Sequence, residues 1–162
     1  VLIEMATALA AQQRLPEARR RLEEALALED ETFPPANRAT LRMRHAAILC
    51  DQGEVDRARA TVDEALRTFV DGERIQEVAD CERLLARIAL REGRTGLARL
   101  HALRARETYR RFGNHGGVAA TEGLLAEALC REGDCAAGAA AWERGLDHWR
   151  ETGHARWQAE FW

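Results

Sequence analysis

The residues with the chemistry for catalysis or metal binding are few. The stretch LCREGDC, residues 129–135, holds two cysteines, two acidic residues and a glycine. Zinc or redox chemistry calls for thiols at C-x-x-C spacing, or for histidines converging on them. Cys130 and Cys135 instead have four residues between them, and His148 and His154 belong to a later segment. The remaining cysteines, Cys50 and Cys81, are isolated, and the five histidines (45, 101, 115, 148 and 154) are dispersed. The glycine-rich GNHGG lacks the lysine and the preceding strand of a phosphate loop. Neither GxSxG nor HExxH occurs, and acidic pairs such as Glu23 and Glu24 belong on a solvated helix face. Nothing here supports catalysis. The expectation is a non-enzyme with no catalytic residue, no cofactor and no metal.

The bulk properties agree with a binding module. A chain of 162 residues fits one domain or one short repeat array. Aromatics are only 6% of it, so alanine and leucine must fill the core. The net charge of −3 gives no reason to expect nucleic acid. All 24 cationic residues are arginine, which together with the alanine excess points to a GC-rich bacterial genome. There is no apolar run near the roughly 18 residues of a membrane span, and no signal-peptide pattern. Four scattered cysteines do not make a disulfide framework, so a reduced, cytoplasmic protein is expected.

The elements that must position these side chains recur. Gly53, Gly93 and Gly133 stand 40 residues apart, within LCDQGEVDRA, ALREGRTGLA and LCREGDCAAG, and LAAQQRLPEA (9–18) stands one period earlier. Ala18, Ala58, Ala98 and Gly138 fall in register, as do Ala25, Ala65, Ala105 and Gly145. Each period reads as two helices. The first carries apolar residues at helical spacing, such as Leu84, Leu85, Ile88 and Ala89. The glycine then supplies a left-handed helix end. The second helix begins with proline or acid in its first turn, at Pro16, Asp56 and Asp134. Loops are expected at EDETFPPAN (29–37), VDGE (70–73) and FGNHGG (112–117). In this register Cys130 and Cys135 occupy places where other periods put packing residues, so both are expected to pack. His45 stands where the others have Leu85 and Leu125, so a core role is expected for it too.

The order of a small residue, then Gly-Asp/Glu, then alanine, then Ala-Leu seven residues on resembles the tetratricopeptide repeat. The matches are Ala46, Ala86 and Ala126 in the first helices, and Ala58, Ala98, Ala65 and Ala105 in the second. The period is 40 rather than 34, the tryptophan position holds Arg42, Glu82 and Glu122, and the closing proline is missing. This is similar to the long-period degenerate repeats of large bacterial signal-responsive transcriptional regulators, such as LuxR-type proteins with an ATPase module and the maltose-regulon activator. The resemblance implies an all-α, right-handed superhelical solenoid of about four helix-turn-helix repeats, near 1–36, 37–73, 74–114 and 115–154, with a fifth starting at 155–162. Leu2 and Trp162 both fall inside first helices, so residues 1–162 are expected to be one repeat domain cut from a longer chain. Apolar ends at Leu2, Met5, Trp157, Phe161 and Trp162 would allow end-to-end self-association.

In such an architecture the first helices line a concave groove. The groove positions are Asp80, Arg83, Arg87 and Arg91, extended by Glu127 and Arg131. Three arginines at four-residue spacing make one stripe, suited to the carboxylates of a protein or acidic peptide. The same stripe also reads as a solvated face neutralised by Glu82, Glu92 and Glu127. Two functions are implied: a protein–protein interaction scaffold in a larger bacterial regulator, or a small-molecule effector sensor. No direct nucleic-acid contact and no membrane are expected.

Overall fold

Successive helices in the computed structural model begin twenty residues apart over most of its length. The structure describes residues 8, 9, 12, 14–27 and 33–151, and all of its regular elements there are helical. They are α1 (Leu15–Ala27), α2 (Pro35–Asp51), α3 (Val55–Asp71), α4 (Ile75–Arg91), α5 (Thr95–Arg111), α6 (His115–Arg131) and α7 (Cys135–Glu151). None of the described helices is long and apolar enough to cross a membrane. Leu2, Met5, Trp157, Phe161 and Trp162, expected at the apolar ends, and His154 lie outside the described residues.

One backbone device ends the helices. After α2, the amide of Gly53 bonds to Cys50 O and that of Glu54 reaches back to Leu49 O at 2.9 Å. The same pair of bonds closes α3, α4, α5 and α6. This Schellman closure satisfies the orphan carbonyls of the last turn and needs one left-handed residue. Gly53, Gly93, Gly113 and Gly133 supply it, and Glu73 takes it with φ 53°. Helix starts vary more. Pro35 sits in the first turn of α2, where its missing N–H costs nothing. Asn114 Oδ1 accepts from Gly117 N at 2.8 Å, and Asp134 Oδ1 from Ala137 N at 2.9 Å. The loop expected over 112–117 is therefore shorter. His115–Gly117 form the first turn of α6, because the Asn114 cap is strong enough to carry two glycines into helix. Likewise Pro35–Asn37 belong to α2 rather than to a loop.

The chain divides into two compact units, residues 1–84 and 85–162, with the division inside α4. In the first unit, α1 packs on α2 through Ala18, Leu22, Leu41 and Ile48. The α3 face of Ala58, Val62, Ala65 and Phe69 is fully buried. Removing a buried ring such as Phe69 costs about 3–5 kcal/mol. His45 is buried on α2, in keeping with its register.

In the second unit, α6 lies between α5 and α7. Its core is mostly alanine: Ala86, Ala102, Ala126 and Ala141 surround Leu125. Small side chains let helix axes approach closely. Two glycines extend this closeness. A Cβ at Gly117 would lie 2.5 Å from the root of the buried Tyr109 ring, and one at Gly145 would lie 3.3 Å from Glu122 Cβ.

Candidate partner-binding surface

The sequence-derived groove residues divide between the two units. In the first, Asp80 and Arg83 sit one turn apart on α4 and form a loose ion pair at 3.9 Å. Both side chains are partly exposed, while Leu84 beside them is buried. In the second unit Arg87 is half-buried and Arg91 exposed, while Leu85 and Ile88 on the same helix are buried. Glu127 and Arg131 lie one turn apart on α6. Arg131 donates to Leu90 O at 2.6 Å and pairs with Glu127 at 2.5 Å. It thus ties α6 to the end of α4, where Leu90 O also accepts from Gly93 N and the helix dipole favours a cation. Much of its donor capacity is already committed within the chain.

A second charged cluster was missed in the sequence. Glu122 is 0% exposed, in the middle of the α6 stripe formed by Val118, Ala119, Leu125 and Ala126. An isolated buried carboxylate would be very costly, so it must be paired and hydrogen-bonded. Arg106 of α5 donates to Oε1 at 3.1 Å. Arg144 of α7 donates to Oε2 through Nη2 at 3.0 Å and Nε at 3.3 Å. Arg110 Nη2 stands 4.0 Å from Oε1. Gly145 lets α7 close on the base of Glu122. The available signal was a lone acid four residues after Val118 and three before Leu125, inside an apolar stripe. Arg106 could not be read from the repeat, because it stands where other periods have Leu26 and Leu66, whereas Arg144 shares its place with Glu24, Glu64 and Arg104, and Glu122 its place with Arg42 and Glu82.

The cysteines require a correction. Cys50 and Cys81 are buried, but Cys130 and Cys135 are exposed. Register fixes the direction of a side chain and not what covers it. Gly138 stands where Ala18, Ala58 and Ala98 pack, and a Cβ there would lie 2.5 Å from Cys130 Sγ. The Cys135 thiol approaches Cys130 O at 3.9 Å. Local desolvation, followed by contact with the Cys135 thiol, pushes the Cys130 thiol up. His115 and His148 bring their rings to 5.8 Å. Among the described residues no group of three or more His, Cys, Asp or Glu side chains could hold a metal ion.

No family model matches the chain, and no curated protein matches it. Among solved structures it is similar to the crystal structure of BtubC (BKLC) from P. vanneervenii, with TM-score 0.76 and 19% identity. The likeness covers 94% of this chain and 63% of that one, so the chain spans less than two thirds of that protein's length. At this identity the likeness shows the fold alone, which is helical and repeat-like.

Proposed function

We propose that this chain is a non-catalytic interaction scaffold that takes an acidic segment of a partner protein. On this reading it is a right-handed solenoid of tetratricopeptide-like helix pairs with a 40-residue period, and it serves as the regulatory segment of a larger bacterial protein. The observation that carries the reading is the division of labour on α4. Leu84, Leu85 and Ile88 are buried, while Arg83 is partly exposed, Arg87 half-buried and Arg91 exposed. Guanidiniums on the polar side of α4 suit planar, two-bond recognition of carboxylates.

The test is capture of partners from a lysate of the source organism, wild type against Arg87→Glu, at low and at moderate salt. The proposal expects partners that are lost on charge reversal and weakened by salt, since partly exposed charges are screened. Equal recovery in all four conditions would leave the α4 arginines as a solvated face.

A further inference from the structure

The geometry around Glu122 points to a second use of its arginines. Three guanidiniums, from Arg106, Arg110 and Arg144, meet one carboxylate. Among the described residues Glu122 is the only carboxylate that any of the three approaches within 4.0 Å. Within that distance, and among the described residues, three positive charges face one negative charge.

The three are not equivalent. Arg106 is only 21% exposed and hydrogen-bonds Oε1. It is the structural partner of the buried acid. Arg144 is 47% exposed and spends two N–H groups on Oε2. A guanidinium carries five N–H donors in a flat fork, so three remain. Arg110 is 46% exposed and lies outside hydrogen-bond distance of Oε1. Its fork is held near the cluster and not consumed by it. Arg110 comes from α5 and Arg144 from α7, with Glu122 of α6 between them. Leu103, two turns before Arg110 on α5, is an exposed apolar neighbour on the same side of that helix.

We propose that Arg110 and Arg144, held over the buried carboxylate of Glu122, form a subsite that binds an acidic side chain of a partner protein. The ligand class follows from the donors. Two forks on helices that both pack against α6 match planar carboxylates, and the local positive charge draws an anion to a place where one of the same kind already sits. Glu122 has a tuning role here. It holds Arg144 in place and subtracts one charge from the attraction felt by an incoming acid. This inference rests on the acidic-partner reading, and it moves part of the recognition from the α4 stripe to the α5–α7 side of the second unit.

The experiment is fluorescence-anisotropy titration of the full chain with a fluorescein-labelled peptide of eight glutamates, and with an eight-glutamine control, at low salt. Wild type should bind the glutamate peptide only. Arg110→Gln should weaken binding about tenfold, the scale of one lost charge-assisted bond. Its melting temperature should not change, because Arg110 makes no hydrogen bond to Glu122. Glu122→Gln should tighten binding by removing the resident negative charge, an effect that a merely structural cluster would not show. A melt of each variant verifies folding. No binding by wild type, an Arg110→Gln affinity equal to wild type, or weaker binding by a folded Glu122→Gln would each overturn the subsite. The two readings fail separately. Lysate capture that depends on Arg87, with peptide binding that ignores Arg110, removes the subsite and keeps the scaffold. Peptide binding that depends on Arg110, with capture that ignores Arg87, keeps the subsite and removes the α4 stripe.

Discussion

Glu122 accepts two N–H groups of Arg144 on a single oxygen, at 3.0 and 3.3 Å, across 22 residues of chain. The same separation joins Arg42 to Glu64 at 3.5 Å, with the charges reversed. The two pairs share a place in the 40-residue register but not an environment. Arg42 and Glu64 are 35% and 56% exposed, whereas Glu122 is 0% exposed and has further arginines around it.

Reversing each pair should therefore give unequal results. The double variant Arg42→Glu/Glu64→Arg keeps a surface ion pair, and such pairs contribute about 0–1 kcal/mol. Its stability should stay within about 0.5 kcal/mol of wild type, the usual range for surface changes. The double variant Glu122→Arg/Arg144→Glu puts a cation into a buried site beside Arg106 and Arg110. It should lose about 3 kcal/mol or more, the cost of an uncompensated buried charge. Urea denaturation of both proteins decides the matter, and equal costs would sink the distinction.

The turns carry a second prediction. Glu73 is the one non-glycine residue with positive φ among the described residues. A side chain in the left-handed region costs about 1–2 kcal/mol, and glycine gives back part of that through the unfolded chain. Glu73→Gly should raise stability by about 0.5–1 kcal/mol, or Tm by roughly 2–4 °C. Gly53→Ala should move it the other way by a similar amount. A Cβ at Gly53 meets nothing within 4 Å, so only the backbone term at φ +83° is read. A fall in Tm for Glu73→Gly would contradict the argument.

Particular residues mark how far the sequence was legible. Gly53, Gly93 and Gly133 announced three of the five Schellman turns, because only the left-handed end of a helix asks for glycine so regularly. The turn after α3 was harder, since its glycine, Gly72, sits one residue early and Glu73 takes the strained place. Alanines in register marked the packing faces, and Ala58, Ala98, Ala65 and Ala105 are all buried. The Glu122 cluster stayed hidden for a physical reason. A repeat shows what neighbouring periods have in common, and here the charge at the Glu122 and Arg144 positions changes sign along the chain (Arg42, Glu82, Glu122; Glu64, Arg104, Arg144), while Arg106 replaces the leucines of earlier periods. Its partners lie 16 and 22 residues away on two other helices, and only the folded packing brings them together.

Exposure divides the four cysteines. Cys130 and Cys135 are exposed at the α6–α7 turn, and Cys50 and Cys81 are buried. Burial above all, with Asp80 and Glu82 next to it, pushes the Cys81 thiol up to about 12. The thiolate is the reactive form. On exposure, a disulfide reagent at pH 8 should modify Cys135, and more slowly Cys130, whose thiol is also pushed up, in the native protein, and the other two only after unfolding. Cys130→Ser and Cys135→Ser should each remove one of the accessible thiols. Protection of all four in the native state would restore the packing reading of the 129–135 turn.

His45 carries the last prediction. It is buried on α2, and burial is the main force holding its pKa below the ordinary histidine value near 6.5. Glu23 pulls the other way, but its Oε1 is 3.6 Å from Nε2, too far for a good hydrogen bond, and Arg19 and Arg57 reinforce the lowering. The folded chain thus takes up this proton less readily than the unfolded chain. Stability is whole above about pH 6.5 and declines as the pH falls from there toward the lowered folded value. Glu17, Glu23, Glu54 and Glu77 are also held low by arginines, but their share begins to be lost only as the pH falls through the ordinary carboxylate value near 4.5. Between pH 7 and 5.5 the slope should therefore belong largely to His45. His45→Leu, which installs the residue found at the equivalent Leu85 and Leu125, should flatten stability across that interval and raise it at pH 5.5. Urea midpoints of both proteins at four pH values in the interval measure this. An unchanged slope in His45→Leu would place the titrating group elsewhere.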